Sequence, residues 1–369
     1  MEFFGYIRSL FLLSLPLIGG HIAQILIGVG DTLIVGRYST EALAALVLGT
    51  TIFFIIFIFG AGFSFAAMAL VSTANTEENT LKIRRITRMA LWLSLAFGLL
   101  VSPFFVFSEK LLLLLGQELN LAVLASEYLI YSGIAIFPAL SSSVLRCYLA
   151  GMEYVKVTFY ISIIAVLLNL LINYLLVFGM FGLPELGIVG AGISTVFVNL
   201  FMLISFVIYA KIKLPQHKLF VRFWRPDRGV IGLVLKMGSA IGITNMAEAG
   251  LFSASSIMMG WVGQLELAAH GIALQLASIT FMLHLGLSDA ATIRVSSALG
   301  KKNKHEIINE CLAALIISLG LSSLAILIFL GFPKLLISAF LNSKEVNANL
   351  IVEIGISLLA LAALFQLVD

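Results

Sequence analysis

Residues 36–71, GRYSTEALAALVLGTTIFFIIFIFGAGFSFAAMALV, and residues 260–295, GWVGQLELAAHGIALQLASITFMLHLGLSDAATIRV, are two versions of one segment. Gly36, Leu43, Ala44, Ala45, Gly62, Ser64, Ala67 and Val71 recur as Gly260, Leu267, Ala268, Ala269, Gly286, Ser288, Ala291 and Val295, each pair 224 positions apart (260 − 36 and 295 − 71 alike). Small and aliphatic residues are common in any membrane helix, but this many gapless identities in register argue for an internal repeat. Parallel repeats of membrane segments are a device by which secondary transporters build one pathway between two halves.

The surrounding composition fits that reading. Hydrophobic residues fill 61% of the 369 positions and charged residues only 11%, with a mean hydropathy of +1.11. Soluble domains carry roughly a quarter charged residues, so the chain is expected to be a polytopic membrane protein. Apolar stretches of about 20 residues recur along its length. They predict ten spans at about 9–35, 43–71, 88–108, 121–145, 157–179, 187–210, 233–260, 268–293, 310–332 and 348–369. Cys147 and Cys311 stand far apart, suggesting neither a disulfide framework nor a metal cluster. The net charge of +3 reflects loop bias and suggests no nucleic-acid partner. There is no phosphate-binding G-x-x-x-x-G-K-[ST], no G-x-S-x-G and no H-E-x-x-H, so neither ATP-driven pumping nor an enzyme is expected, and no catalytic residue is assigned.

Charge orients the chain. All of the 22 basic residues except Arg37, Lys110, Lys334 and Lys344 fall at the N-terminus or in the loops after the even-numbered spans. By the positive-inside rule those loops and the N-terminus are cytoplasmic. Six spans precede the second copy, so it enters the membrane in the same direction as the first. The basic stretch after the sixth span is the natural joint. It divides the chain into an N-terminal lobe at about 1–212, a cytoplasmic linker at about 213–232 and a C-terminal lobe at about 233–369. Doubling the repeat predicts about 448 residues and twelve spans. The chain reaches Asp369 at the tenth, so the second lobe is expected to be two helices short of the first.

Ionisable groups inside such spans are costly and are functional candidates by default. Glu248, twelve positions past Lys236, falls near the middle of the seventh span, where a carboxyl could exchange a proton or pair with a cation. Otherwise it is a neutral, hydrogen-bonded structural group. Asp31 follows Gly28-Val29-Gly30 in the outer part of the first span, either as a site residue or as a helix-end carboxylate paired with Arg37. Asp369 adjoins the terminal carboxylate, and its position alone supports either reading. Asn169 and Asn173 lie four apart and so share a helix face. They could coordinate a hard cation such as Na⁺ beside a carboxylate, or simply bond between helices. Asp289 lies near the cytoplasmic boundary beside Arg294, and His21, His270 and His284 share no ligand spacing.

Taken in order, Gly30-Asp31-Thr32, Leu43-Ala44-Ala45, Leu168-Asn169 through Asn173, Pro184-Glu185-Leu186-Gly187, Gly190-Ala191-Gly192 with Thr195, Ala268-Ala269-His270, and Gly286-Leu287-Ser288 with Arg294-Val295 resemble the multidrug and toxic compound extrusion transporters, in their NorM-like bacterial branch. The resemblance runs from Ser14 to Asp369. It implies an all-α polytopic protein of two six-helix lobes around a cavity, a monomer in the inner membrane. It implies antiport of bulky, often cationic organic compounds against Na⁺ or H⁺, with no other cofactor and no metal beyond that ion. By resemblance Asp31, Asn169, Asn173 and Thr195 form a cation or proton site in the N-terminal lobe. Glu248 and Asp369 match acidic positions of a site in the C-terminal lobe. Phe365 stands where the family often has tyrosine. A flippase for lipid-linked sugars, from the same broad superfamily, would instead line its cavity with cations. A shortened, non-transporting remnant is the other alternative.

Overall fold

The computed structural model describes residues 3–340 and 348–367, and all regular structure among them is helical. In chain order the α-helices are α1 (Phe3–Tyr38), α2 (Thr40–Thr76), α3 (Thr80–Val106), α4 (Ser108–Leu114), α5 (Leu119–Gly151), α6 (Val155–Val177), α7 (Ile188–Lys213), α8 (Arg228–Val262), α9 (Gln264–Gly300), α10 (Lys304–Gly331), α11 (Pro333–Ser338) and α12 (Ala348–Phe365). Among the described residues nine helices are long and apolar enough to cross a membrane. The apolar stretch of α12, Asn349–Phe365, is shorter. The short α4 and α11 fall between predicted spans. A helix of two turns shows no periodicity that a sequence reading can catch.

Local signals start these helices where they start. The Ser39 hydroxyl accepts from the Ala42 amide at 3.4 Å at the head of α2, and the Asn79 side chain accepts from the Lys82 amide at 2.9 Å at the head of α3. Each satisfies an amide that has no partner inside its helix. Pro16, Pro103 and Pro138 sit inside α1, α3 and α5 without ending them. Neighbouring helices in a membrane bundle compensate the lost hydrogen bond.

The repeat extends from residues to elements. Thr40 and Gln264, which open α2 and α9, are 224 apart, as are Thr80 and Lys304, which open α3 and α10. Lengths match as well, at 37 and 37 residues for α2 and α9 and at 27 and 28 for α3 and α10. The C-terminal ends of α2 and α9 meet side by side. Ser72 Oγ donates to the Ile293 carbonyl at 2.6 Å, Thr73 Oγ1 to the Ser296 carbonyl at 3.1 Å, and Thr76 Oγ1 lies 2.9 Å from Ser297 Oγ. Ser296 and Ser297 are themselves the repeat counterparts of Ser72 and Thr73. Like ends of like helices meet, as a parallel repeat requires.

The chain packs as two compact units whose limits fall within helices. One comprises Met1–Ile22, Ala247–Ala291 and Lys304–Asp369, the other Ala23–Met246 and Thr292–Asn303. In the larger unit α5 is the most buried helix, lined by small residues such as Ala135, Ala139, Ser142 and Ala150. The segment between α7 and α8 is docked on this unit. Leu214 and Leu219 enter its core, Arg88 donates to the Arg222 carbonyl at 2.6 Å, and Trp92 Nε1 donates to the Phe223 carbonyl at 2.9 Å. His217 is buried with its Nδ1 2.5 Å from the Tyr148 hydroxyl. In the smaller unit Leu276, Phe329, Ile337, Leu359 and Ala363 form the core between α9, α10, α11 and α12.

Candidate cation site

Asp31 is buried in the larger unit, 4% exposed, and α6 brings both asparagines to it. Asn169 Nδ2 donates to Asp31 Oδ1 at 2.9 Å, and Asn173 Nδ2 donates to the same oxygen. Residues 169 and 173 are one helical turn apart, so a single carboxylate between them can receive both amides. Gly30 lets α6 come this close: a Cβ there would stand 2.6 Å from Leu170 Cδ2 and 3.3 Å from Asn169 Oδ1. Both asparagine Oδ1 atoms are buried and have no hydrogen-bond partner among the described residues. An unsatisfied buried acceptor costs about 1–3 kcal/mol, so two beside one carboxylate mark a place that a ligand would complete.

Thr195 does not bond to Asp31. Its hydroxyl turns back to the Ala191 carbonyl at 3.0 Å. Tyr128, a buried α5 residue, lies near both Thr195 and Asp31. Sequence reasoning missed Tyr128, because an aromatic in an apolar helix looks like core. Gly49 admits its bulk, since a Cβ there would stand 2.6 Å from the ring, and Gly192 lets α7 approach the α5 backbone, a Cβ there standing 3.3 Å from the Tyr128 carbonyl. The Glu185-Leu186-Gly187 motif serves the loop. Leu186 and Gly187 amides donate to the Leu176 and Val177 carbonyls, and Gly187 takes φ +53° beneath the Tyr38 ring.

Glu248 lies half-buried on α8 in the smaller unit. Asp369 lies outside the described residues. Within that unit Phe365 stacks edge-on against Phe252 with ring centroids 5.9 Å apart. Phe252 is one turn past Glu248, and Phe365 is four positions before Asp369. Next to Phe365, the Gln366 side chain is fully buried, with both polar atoms unpartnered among the described residues. The sequence also showed no link between His21 and Asp289, 268 positions apart. In the structure His21 Nε2 lies 2.8 Å from Asp289 Oδ2, both buried. Asp289 is therefore buried against α1 inside its unit.

A family model described as MatE matches residues 16–175 and 240–369. A probable multidrug resistance protein NorM of Agrobacterium fabrum is 41% identical over 370 residues, covering 100% of this chain and 80% of that protein. One of the same description from Rhizobium meliloti is 39% identical over 366 residues, covering 99% and 78%. Among solved structures, a MATE in the bent conformation superposes with a TM-score of 0.85 at 17% identity, over 100% of this chain and 81% of that one. An outward-facing MATE family transporter superposes with a TM-score of 0.84 at 18% identity, over 99% and 80%. These likenesses establish the all-α, two-lobed transporter fold. Together with the family match along most of its length, they show that the chain belongs to the MatE family of membrane transporters, in its NorM-like branch.

Proposed function

We propose that the protein is a multidrug efflux antiporter of the inner membrane, exporting bulky organic cations in exchange for Na⁺ or H⁺. The relatives described as multidrug resistance proteins support the substrate class. The observation that carries the coupling is the Asp31 group: one buried carboxylate, two asparagine amides donating to it, and two amide oxygens left over. A carboxylate in an apolar span needs a partner charge or a proton. With the amide nitrogens turned inward the group holds an empty carboxylate. With either amide rotated by half a turn, carbonyl oxygens face the carboxylate and make the all-oxygen surroundings a hard cation prefers. Thr195 and Tyr128 complete the wall. By resemblance a second acidic site in the C-terminal lobe holds Glu248 and Asp369; the Phe252–Phe365 contact, one turn past Glu248, supports a role for Glu248 beside α12.

The two halves, 1–212 and 233–369 joined by the linker 213–232, alternate access with the N-terminus on the cytoplasmic side, in a monomer. A cationic drug and the coupling ion each weaken the other's binding, so occupancy by one releases the other. The test is efflux of a cationic dye from cells or proteoliposomes. Asp31→Asn and Glu248→Gln should each lower efflux at least about tenfold, the effect of losing roughly 1.4 kcal/mol of binding, with membrane insertion intact. Wild-type efflux in both variants would sink the assignment.

A further inference from the structure

Within the smaller unit α1 and α9 cross backbone to backbone. A Cβ on Gly286 would stand 2.5 Å from Ile18 Cγ1, 2.6 Å from its amide nitrogen and 2.7 Å from its Cα. One turn further along both helices, His21 and Asp289 meet at 2.8 Å, 3% and 8% exposed. The repeat supplies an internal control for what such a crossing needs. Gly62 is the counterpart of Gly286 (286 − 62 = 224), and Gly242 is the counterpart of Ile18 (242 − 18 = 224). Those two residues make the crossing of α2 with α8 in the larger unit. There a Cβ on Gly62 would stand 2.2 Å from the Gly238 carbonyl oxygen and 2.6 Å from the Gly242 amide nitrogen. At the positions equivalent to His21 and Asp289, that crossing carries Asn245 and Phe65. The close approach is therefore made twice, once with an ionisable pair and once without. Packing alone does not call for the pair.

We propose that His21 and Asp289 form a proton-binding site, separate from Asp31, that clasps the α1–α9 crossing while it holds a proton and slackens it when the proton leaves. While Asp289 is ionised, Nε2–H donates to Oδ2 in a charge-assisted bond shielded from water. A proton arriving at the pair goes to the other ring nitrogen of the imidazole, the more basic group, and turns the contact into a stronger imidazolium–carboxylate ion pair. Imidazole and carboxylate are also the groups that let a transporter relay protons through a bundle. Other charged groups and histidines on the described helices of the same unit are Arg8, Glu248, Glu266, His270, His284, Lys304, His305, Glu306, Glu310, Lys334 and Glu353. His284 is engaged with Ser318 and Ser322 on α10 and His270 with Ser255 on α8, while Arg294, further along α9, engages Glu153. The consequence for transport rests on the antiport reading; the proton site itself does not.

The experiment is amide exchange on the purified full chain without drug, followed by mass spectrometry, from about pH 8 to about pH 5. Rates are corrected for the intrinsic pH dependence of exchange. Peptides around Ile18 and Gly286 should exchange about tenfold slower at the acid end, the equivalent of one decade in an opening equilibrium. Peptides around Gly62 and Gly242, lacking the pair, should not change. His21→Gln and Asp289→Asn should each abolish the acid response, and the swap His21→Asp with Asp289→His should restore it. Asp31→Asn should keep the response while losing dye efflux, which separates failure of this site from failure of the antiport reading. A flat wild-type profile overturns the proposal, and so does a response that survives in His21→Gln. If no variant at the pair can be purified, the wild-type contrast between the two crossings still decides.

Discussion

At the level of single residues, what could be read in advance was what a helix period exposes. Asn169 and Asn173 announce a shared face by their spacing, and the structure puts Asp31 between them. Tyr128 could not be read, because nothing in an apolar α5 separates a ring beside a carboxylate from a ring in the core. His21 and Asp289 could not be read either, since their partnership depends on a helix crossing 268 positions away. His217 offers a test in the docked linker. Burial pushes its pKa below the ordinary histidine value, and the neutral ring accepts the Tyr148 hydroxyl at 2.5 Å. The folded state therefore binds fewer protons than an undocked linker over the window between the lowered value and about 6.5. Docking is at full strength above about 6.5 and weakens as pH falls through the lowered value. Amide exchange over residues 214–227, corrected for its intrinsic pH dependence, should speed up in acid. His217→Gln keeps an acceptor but cannot titrate, and should flatten that response; an unchanged acid response in it would assign the effect elsewhere.

At the level of elements, the apolar runs located the nine long helices found among the described residues, because about 20 apolar residues is a strong signal. The reason for the repeated glycines was not visible. Gly62 and Gly286 look like any small residue until the partner backbone is seen against them. Gly260 repeats Gly36 just as faithfully, yet a Cβ there would meet only Leu267 Cδ2 at 3.8 Å. Identity across the repeat therefore does not by itself mark a crossing. This yields a graded prediction. Gly62→Ala must move the backbone of α8 and should cost about 3 kcal/mol, near the top of the range for overpacking. Gly286→Ala, also against backbone, should cost about 2 kcal/mol or more. Gly260→Ala should be neutral or stabilising by about 0.5 kcal/mol through helix propensity. Thermal melts of the detergent-purified variants, followed by size-exclusion recovery, would order the three. A Gly62→Ala protein as stable as wild type would contradict the close approach of α2 and α8.

Across the whole molecule, the repeat copies scaffold but not charge. Adding 224 to Asp31 gives Ser255, and subtracting it from Glu248 gives Gln24. Helix starts, helix lengths and the two glycine crossings are duplicated, while each acidic position is present once. A site built on unrepeated residues cannot be shared evenly by two equivalent halves, so the two acidic positions should carry different parts of the exchange. Asp31, held by amides and bordered by free carbonyl oxygens, is dressed for a small hard ion. Glu248, half-buried on α8, is the more accessible of the two. Linkage then makes a reciprocal demand: if the coupling ion weakens drug binding by some factor, the drug weakens ion binding by the same factor, typically about 5–150-fold. Binding of a cationic dye to proteoliposome-reconstituted protein should weaken within that range as Na⁺ or H⁺ is raised, whichever ion couples. In Asp31→Asn the dye should still bind, but its affinity should no longer follow the ion. In Glu248→Gln dye affinity itself should fall. Dye binding that keeps its full ion dependence in Asp31→Asn would move the coupling site away from α1 and α6. Loss of both properties in either variant alone would mean that one shared site does the work of two.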